Sequence, residues 1–315
     1  MNTRNKTSAM VESALITAIA VIFTLVSMYI PVLNVLLMFL PAPFIVIGAK
    51  NGLKYNILSL IAAGIMIGTF TGPLRAVIFL GTTGLSSAFM GYMIQKKNSS
   101  NLIILVGTIA SIVGMIINFA LMPKIFGFGP LEALENTFVQ AREMYKGFSG
   151  FPGIDPAQLD QVLNVLDQMK KLALLVFPSS IIVASVVTTY INYIASGAIL
   201  RRTGFDIRKP NKLSHFRLPA NFMMGSLVIV LLTYLANRFN IVKSVALNFN
   251  MMLLFQEIFT LQGLAVASFF LEKNNLGNGL RRTILVFAYI IPITRGISFF
   301  MGLTDVVLNI RKLES

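Results

Sequence analysis

The stretch LIILVGTIASIVGMIINFALM, residues 102–122, runs for 21 positions without a charged side chain. A helix of that length covers about 30 Å, the hydrocarbon thickness of a bilayer. Its small residues Gly107, Ser111 and Gly114 offer a face on which another helix can approach closely. Blocks of the same kind recur on both sides of it. The chain has 315 residues, of which 56% are hydrophobic and 12% charged. That charged share is about half the roughly 25% of a soluble domain. Mean hydropathy is +0.77. The expected fold is all-α: a polytopic transmembrane helical bundle of eight or nine spans, with an external amphipathic helical insert.

The first span runs from about Ala9 to Ile30 and ends at Pro31. A second apolar stretch, Val32 to Ala49, carries Pro41 and Pro43, which kink or break a helix. The third, Tyr55 to Phe70, has Gly64 and Gly68 at the spacing of a helix-packing face. The fourth covers Leu74 to Ile94, and the quoted stretch is the fifth. Residues 123–171 differ: they hold Glu132, Glu135, Glu143, Asp155, Asp160 and Asp167. Leu131, Leu134, Phe138, Ala141 and Tyr145 share one helical face, as do Leu159, Val162, Leu163 and Leu166. Asp155-Pro156 is a helix-start signal. The sixth span, Leu172 to Leu200, leads to a basic loop with Arg201, Arg202, Arg208, Lys209, Lys212 and Arg217. Two spans follow, about Phe222–Ala236 and Val245–Leu271. A last apolar stretch, Thr283 to Leu308, is interrupted by Pro292 and Arg295. The expected organisation is a six-helix membrane unit over 1–200 with its external insert at 123–171, a basic cytoplasmic loop at 201–221, and C-terminal transmembrane helices over 222–315.

The net charge of +14 is accounted for by Lys and Arg in short loops, which set topology. Nucleic acid is therefore not an expected partner; the lipid bilayer is. The basic loops fall on one side if six helices precede Arg201, which puts the N-terminus in the cytoplasm of a multi-pass cell-membrane protein. Nine full spans would carry Arg311 and Lys312 to the other side. The last stretch is then re-entrant, or a span elsewhere is miscounted.

There is no cysteine and one histidine, His215, so thiolate and multi-histidine metal sites are excluded. No phosphate-binding glycine loop, dinucleotide fingerprint, serine elbow or H-E-x-x-H motif occurs. The expectation is a protein that is not an enzyme, takes no cofactor and hydrolyses no nucleotide. Polar groups inside apolar stretches carry the remaining information, because charge in lipid is costly. Glu12 sits near the start of the first helix and suits an interfacial structural role. Arg75 opens the fourth helix and either snorkels or binds an anionic ligand. Asn118 is a second candidate ligand contact, although an interhelical hydrogen bond explains it and Asn192 as well. Glu257 and Arg295 lie deep in separate stretches. As an intramembrane charge pair they would lower each other's cost, and substrate or proton handling is the alternative.

The first helix reads Ser13-Ala14-Leu15-Ile16-Thr17-Ala18-Ile19-Ala20. Its A-x-x-x-A face resembles the first helix of the substrate-binding S components of energy-coupling-factor transporters. That resemblance implies a six-helix ligand-binding unit, with Ala14 and Ala18 docking a transmembrane coupling subunit that works with separate ATPases. The C-terminal part, which those components lack, has His215-Phe216-Arg217-Leu218-Pro219. It closes on Gly302-Leu303-Thr304-Asp305 and Asn309-Ile310-Arg311-Lys312. This pattern is similar to the YybS-like family of predicted bacterial membrane proteins, whose members end in a comparable Gly-x-x-Asp … Arg-Lys segment. Two functions stay open. One is the binding or transport component of an uptake system, with an unknown small-molecule ligand. The other is a membrane scaffold or regulator that contacts partners through the basic loop.

Overall fold

The computed structural model describes residues 6–147, 156–239, 241 and 245–313. The expected helix start at Asp155 lies outside them. The described residues are helical apart from turns and connecting loops, with no strand among them. Among the described residues, seven helices are long and apolar enough to cross a membrane. An eighth span is reached if the bent pair Asn278–Ile290 and Pro292–Leu308 counts as one. The all-α membrane bundle of the sequence reading is thus what forms, with seven or eight spans against the eight or nine expected. The Val32–Ala49 stretch is the one that falls short. Its prolines split it into a 3-10 helix, Pro31–Phe39, and the 11-residue α2, Pro41–Asn51.

The chain forms two compact units. Unit 1 comprises Met1–Leu166 and Ala184–Pro210, and unit 2 comprises Asp167–Val183 and Asn211–Ser315. In unit 1, α1 (Lys6–Tyr29) turns Ser13, Thr17, Ala20, Val21 and Thr24 inward. The two threonine hydroxyls donate to the Ser13 and Ala20 carbonyls at 2.7 Å. Small polar residues are thereby satisfied within their own helix and can still face protein. The centre of the unit is α2, where Phe44, Ile45 and Ile47 are wholly buried. Next come α3 (Leu53–Thr71) and α4 (Pro73–Phe79). Single glycines join α2, α3 and α4, with Gly52 at φ 96° and Gly72 at φ 93°, values that a side chain would strain. A π-helical turn, Leu80–Gly84, leads into α5 (Leu85–Gln95).

Asn56, on α3, is fully buried and gives its amide to the carbonyls of Phe44 (2.8 Å) and Ser87 (3.3 Å). One side chain therefore ties α3 to α2 and α5. The quoted stretch lies in α6 (Ser100–Phe126), followed by the amphipathic α7 (Pro130–Lys146), which buries no residue. The piece around Leu159–Leu166 is not separate from the sixth span. Both belong to α8, Pro156–Arg202, 47 residues long. The polar run Asp167-Gln168-Met169-Lys170-Lys171 contains no helix breaker, so polarity alone does not end the helix.

Unit 2 contains α9 (Ala220–Arg238), α10 (Val245–Lys273), α11 (Asn278–Ile290) and α12 (Pro292–Leu308). Its tightest packing joins α10 to α12. A Cβ added at Gly263 would overlap the Ser298 carbonyl, and one at Gly302 would overlap that of Phe259. Glycine is what lets these backbones touch. Phe255, Phe259 and Phe299 fill the adjoining space, with ring centroids 4.6–6.5 Å apart. The α8 segment of this unit contains Pro178, which weakens the ladder around it. The Asn250 amide enters the gap. Its Oδ1 accepts from the Ser179 N–H (2.7 Å) and its Nδ2 donates to the Leu175 carbonyl (2.8 Å).

Candidate functional site

Unit 1 has an open cavity of 420 Å³, lined by Thr24 of α1, Leu37 and Leu40, Ile67 of α3, and Arg75, Ile78, Phe79, Thr82 and Thr83. Its size suits a small molecule. The lining is apolar except for Arg75 and three hydroxyls, those of Thr24, Thr82 and Thr83. Arg75 follows Pro73 in the first turn of α4 and is exposed, while Thr24 and Thr83 are buried. A guanidinium with hydroxyls deeper in an apolar chamber can orient an anionic, partly apolar ligand.

The π-turn brings Thr82 and Thr83 to this chamber. Such turns are rare, interrupt the regular ladder, and are frequent at functional sites. The Ile78 carbonyl receives the Thr82 hydroxyl at 2.7 Å and the Asn118 amide at 3.2 Å. A Cβ at Gly81 would overlap the Asn118 side chain, and one at Gly114 would overlap the Gly81 carbonyl. Glycines 81 and 114 admit α6 to the turn, and Asn118 then bonds the backbone of α4 just before it. Asn118 is absent from the cavity lining, and it meets the cavity through the backbone of Ile78, which does line it.

The other candidate residues fall into place around this core. Gly64 and Gly68 seat the next helix: added Cβ atoms would meet Leu80 at 3.2 Å and Ala76 at 3.0 Å. On α1, Ala14 is exposed and Ala18 half-buried. Their face points away from the buried Ser13-Thr17-Thr24 face. Glu12 is paired with Lys50 of α2, and Asn51 gives its amide to Ser13 Oγ at 2.9 Å. Asn192 bonds the carbonyls of Met38 and Thr188, both at 2.8 Å. Among the described residues no three His, Cys, Asp or Glu side chains gather to hold a metal ion.

Unit 2 brings Glu257 and Arg295 together as an ion pair, with side chains 13% and 32% exposed. Tyr289 Oη donates to the other carboxylate oxygen at 3.1 Å, and the Arg295 guanidinium lies 5.1 Å from the Tyr289 ring centroid. A second pair, which the sequence reading did not identify, joins Asp305 to Arg311 at 2.8 Å, with side chains 1% and 0% exposed. Gln262 donates to the same Asp305 oxygen (2.7 Å) and accepts from the Leu218 N–H (3.1 Å). Arg311 also donates to the carbonyls of Ser214 and Phe216, both at 2.8 Å. The left-handed Asn309, φ 46°, turns the chain so that Arg311 returns to α12. Asp305 and Arg311 both stand in the C-terminal motif. Half of the cluster's acceptors are backbone carbonyls, which no side-chain pattern reveals.

Residues 18–306 match the family described as Predicted membrane protein (DUF2232). The chain is also 22% identical over 308 residues to a protein of Bacillus subtilis (strain 168) named Uncharacterized protein YybS, a span covering 97% of this chain and 98% of that one. No solved structure matches. The motifs that the sequence shares with YybS-like proteins thus sit within a likeness over nearly the whole length, and the chain belongs to the DUF2232 family of predicted membrane proteins.

Proposed function

We propose that this membrane protein is the small-molecule-binding component of an uptake system whose energy comes from separate subunits. The observation that carries the reading is the 420 Å³ cavity of unit 1, with Arg75 and the Thr24, Thr82 and Thr83 hydroxyls in an apolar wall. Arg75 pairs with an anionic group of the ligand, and the Thr83 hydroxyl fixes its orientation, those of Thr24 and Thr82 being given to the Ala20 and Ile78 carbonyls. The chain carries no nucleotide-binding motif, so the energy for release is supplied by a coupling subunit and ATPases. The exposed Ala14 and the half-buried Ala18 of α1 form the surface for that subunit. With the N-terminus in the cytoplasm, the cavity opens outward.

The test is native mass spectrometry of the full chain purified from its own membranes. A bound molecule, lost in Arg75→Gln with the fold unchanged, supports the reading. Protein that carries nothing but lipid, or a ligand retained in Arg75→Gln, overturns it. Co-purified ATPases that disappear in the Ala14→Leu/Ala18→Leu variant support the docking surface, and their retention removes it. A second reading rests on the exposed Arg201, Arg202, Arg208 and Lys209 of unit 1: a scaffold that contacts anionic headgroups or a partner. Recovery of a signalling enzyme without ATPases would favour it.

A further inference from the structure

The ligand-binding reading gives no task to Glu257 and Arg295. Glu257 sits near the middle of the 29-residue α10, at the depth where charge is most costly. A half-buried pair recovers what desolvation it pays only when its donors find acceptors. This one does not. Arg295 contacts Glu257 through Nη2, and its Nε is buried without a hydrogen-bond partner. Arg295 also occupies the first turn of α12, where the helix dipole disfavours a cation. Packing and helix electrostatics therefore leave the placement unexplained.

The surroundings supply each charge with a second partner. Arg295 stacks over the Tyr289 ring, a cation–π contact that does not depend on Glu257. The Tyr289 hydroxyl bonds Glu257 Oε2, and a neutral carboxylic acid keeps that bond through its carbonyl oxygen. The backbone is arranged to respond. Between α11 and α12 the chain bends by 99° at Ile291, which is extended at φ −76° and ψ 124°. Thr294 Oγ1 lies within hydrogen-bond distance of the Ala288 carbonyl (3.2 Å), which Pro292 leaves without its helical N–H, while the Ile291 carbonyl accepts the Arg295 N–H at 2.9 Å. A Cβ at Gly296 would meet nothing within 4 Å, and α11 buries no side chain. α12 is pinned from Ser298 onward, by the Gly263 and Gly302 contacts and by Asp305, which leaves its first turn as the part that can move.

We propose that Glu257 is a membrane-embedded proton-binding site whose occupancy sets the α11–α12 break. The carboxylate takes one proton from water and becomes a neutral acid. Arg295 keeps its own proton and its charge, leaves Glu257 and rests on Tyr289, and the start of α12 moves with it. The groups facing the carboxylate are Arg295 of α12 and Tyr289 of α11. The other charged groups of the surrounding elements are Asp167, Lys170 and Lys171, where the α8 segment of this unit begins, and groups near helix ends: Arg238 on α9, Glu272 and Lys273 on α10, Arg281 and Arg282 on α11, and Asp305 on α12. Asp305 is committed to Arg311 and Gln262. This site lies wholly in unit 2 and does not rest on the cavity of unit 1.

The full chain, which has no native cysteine, is placed in lipid nanodiscs with spin labels at Met252→Cys and Ile293→Cys, both exposed positions. The label distance is measured between about pH 8 and about pH 5, a range that intramembrane carboxyls can titrate in. The expected result is a shift of about 2 Å or more. Glu257→Gln should hold the low-pH distance at both ends of the range. Tyr289→Phe keeps both charges but removes the hydroxyl, so it should move the midpoint. A wild-type distance indifferent to pH overturns the proposal. So does Glu257→Gln that keeps the high-pH distance. If that variant does not fold, an unmoved midpoint in Tyr289→Phe does the same.

Discussion

The two ends of α12 each carry an arginine–carboxylate pair, and the pairs end in opposite states. At the C-terminal end, Arg311 spends its donors on Asp305, Ser214 and Phe216, and Gln262 covers the same Asp305 oxygen. Asp305, Arg311, Gln262 and Ser214 are all buried. At the N-terminal end, Arg295 makes one contact to its carboxylate, leaves Nε without an acceptor, and stays about a third exposed. The same two functional groups, paired at the two ends of one helix, thus give a saturated lock and an unsaturated contact. What separates them is the backbone nearby. The 213–218 segment brings carbonyls and an N–H to the first pair. The break at Ile291 brings the second pair an aromatic ring and a lone hydroxyl.

The largest effect should come from breaking the lock. Arg311→Met strands a buried Asp305 and leaves two carbonyls unpaired, a loss of about 3–5 kcal/mol. Unfolding in mixed micelles would measure it. Adding Asp305→Leu should restore part of that loss, because the uncompensated charge goes with it. A loss below about 1 kcal/mol for Arg311→Met, the value of an exposed pair, would erase the distinction between the two ends.

A neutral staple should fall below this. Asn250→Leu removes the amide that satisfies the Ser179 N–H and the Leu175 carbonyl beside Pro178. Two buried backbone groups lose their partners, at about 1–3 kcal/mol each before relaxation. The expected loss is about 2–3 kcal/mol by the same unfolding measurement, short of the charged lock. A larger loss than that of Arg311→Met would mean that saturation of charge is not what holds unit 2 together.

How much of this is legible in the sequence depends on which groups do the bonding. The spans could be read because length and hydropathy alone define them, and the breaks near Pro41 and Pro292 because proline removes a donor. Gly64 and Gly68 could be read because only small residues admit a neighbouring helix. The π-turn could not: Leu80-Gly81-Thr82-Thr83-Gly84 looks like ordinary helix, and the Asn118 amide that bonds the Ile78 carbonyl before it lies on another helix. Arg75 stood out as a charge in an apolar stretch, whereas the threonines that share its cavity did not, since threonine is common in such helices. Glu257 and Arg295 stood out for the same reason as Arg75. Asp305 and Arg311 were visible as a motif, but their partners at Ser214 and Phe216 are backbone atoms almost a hundred residues away.

The smallest stability effect should belong to Glu257→Gln, and its smallness is the informative part. The amide is nearly the shape of the carboxylate and can still accept from Tyr289. Arg295 loses a charged partner but keeps the ring, a contact of about 0.5–2 kcal/mol, and it is not fully buried. The expected loss is therefore about 1 kcal/mol or less, against several for Arg311→Met in the same assay. A loss as large as that of the lock would make the N-terminal pair a structural pair as well. A proton that neutralised Glu257 would then destabilise unit 2 instead of resetting it. A small loss, with the label distance moved to its low-pH value, would mean that the unsaturated end of α12 changes shape without threatening the fold. The saturated end would be what makes that change safe.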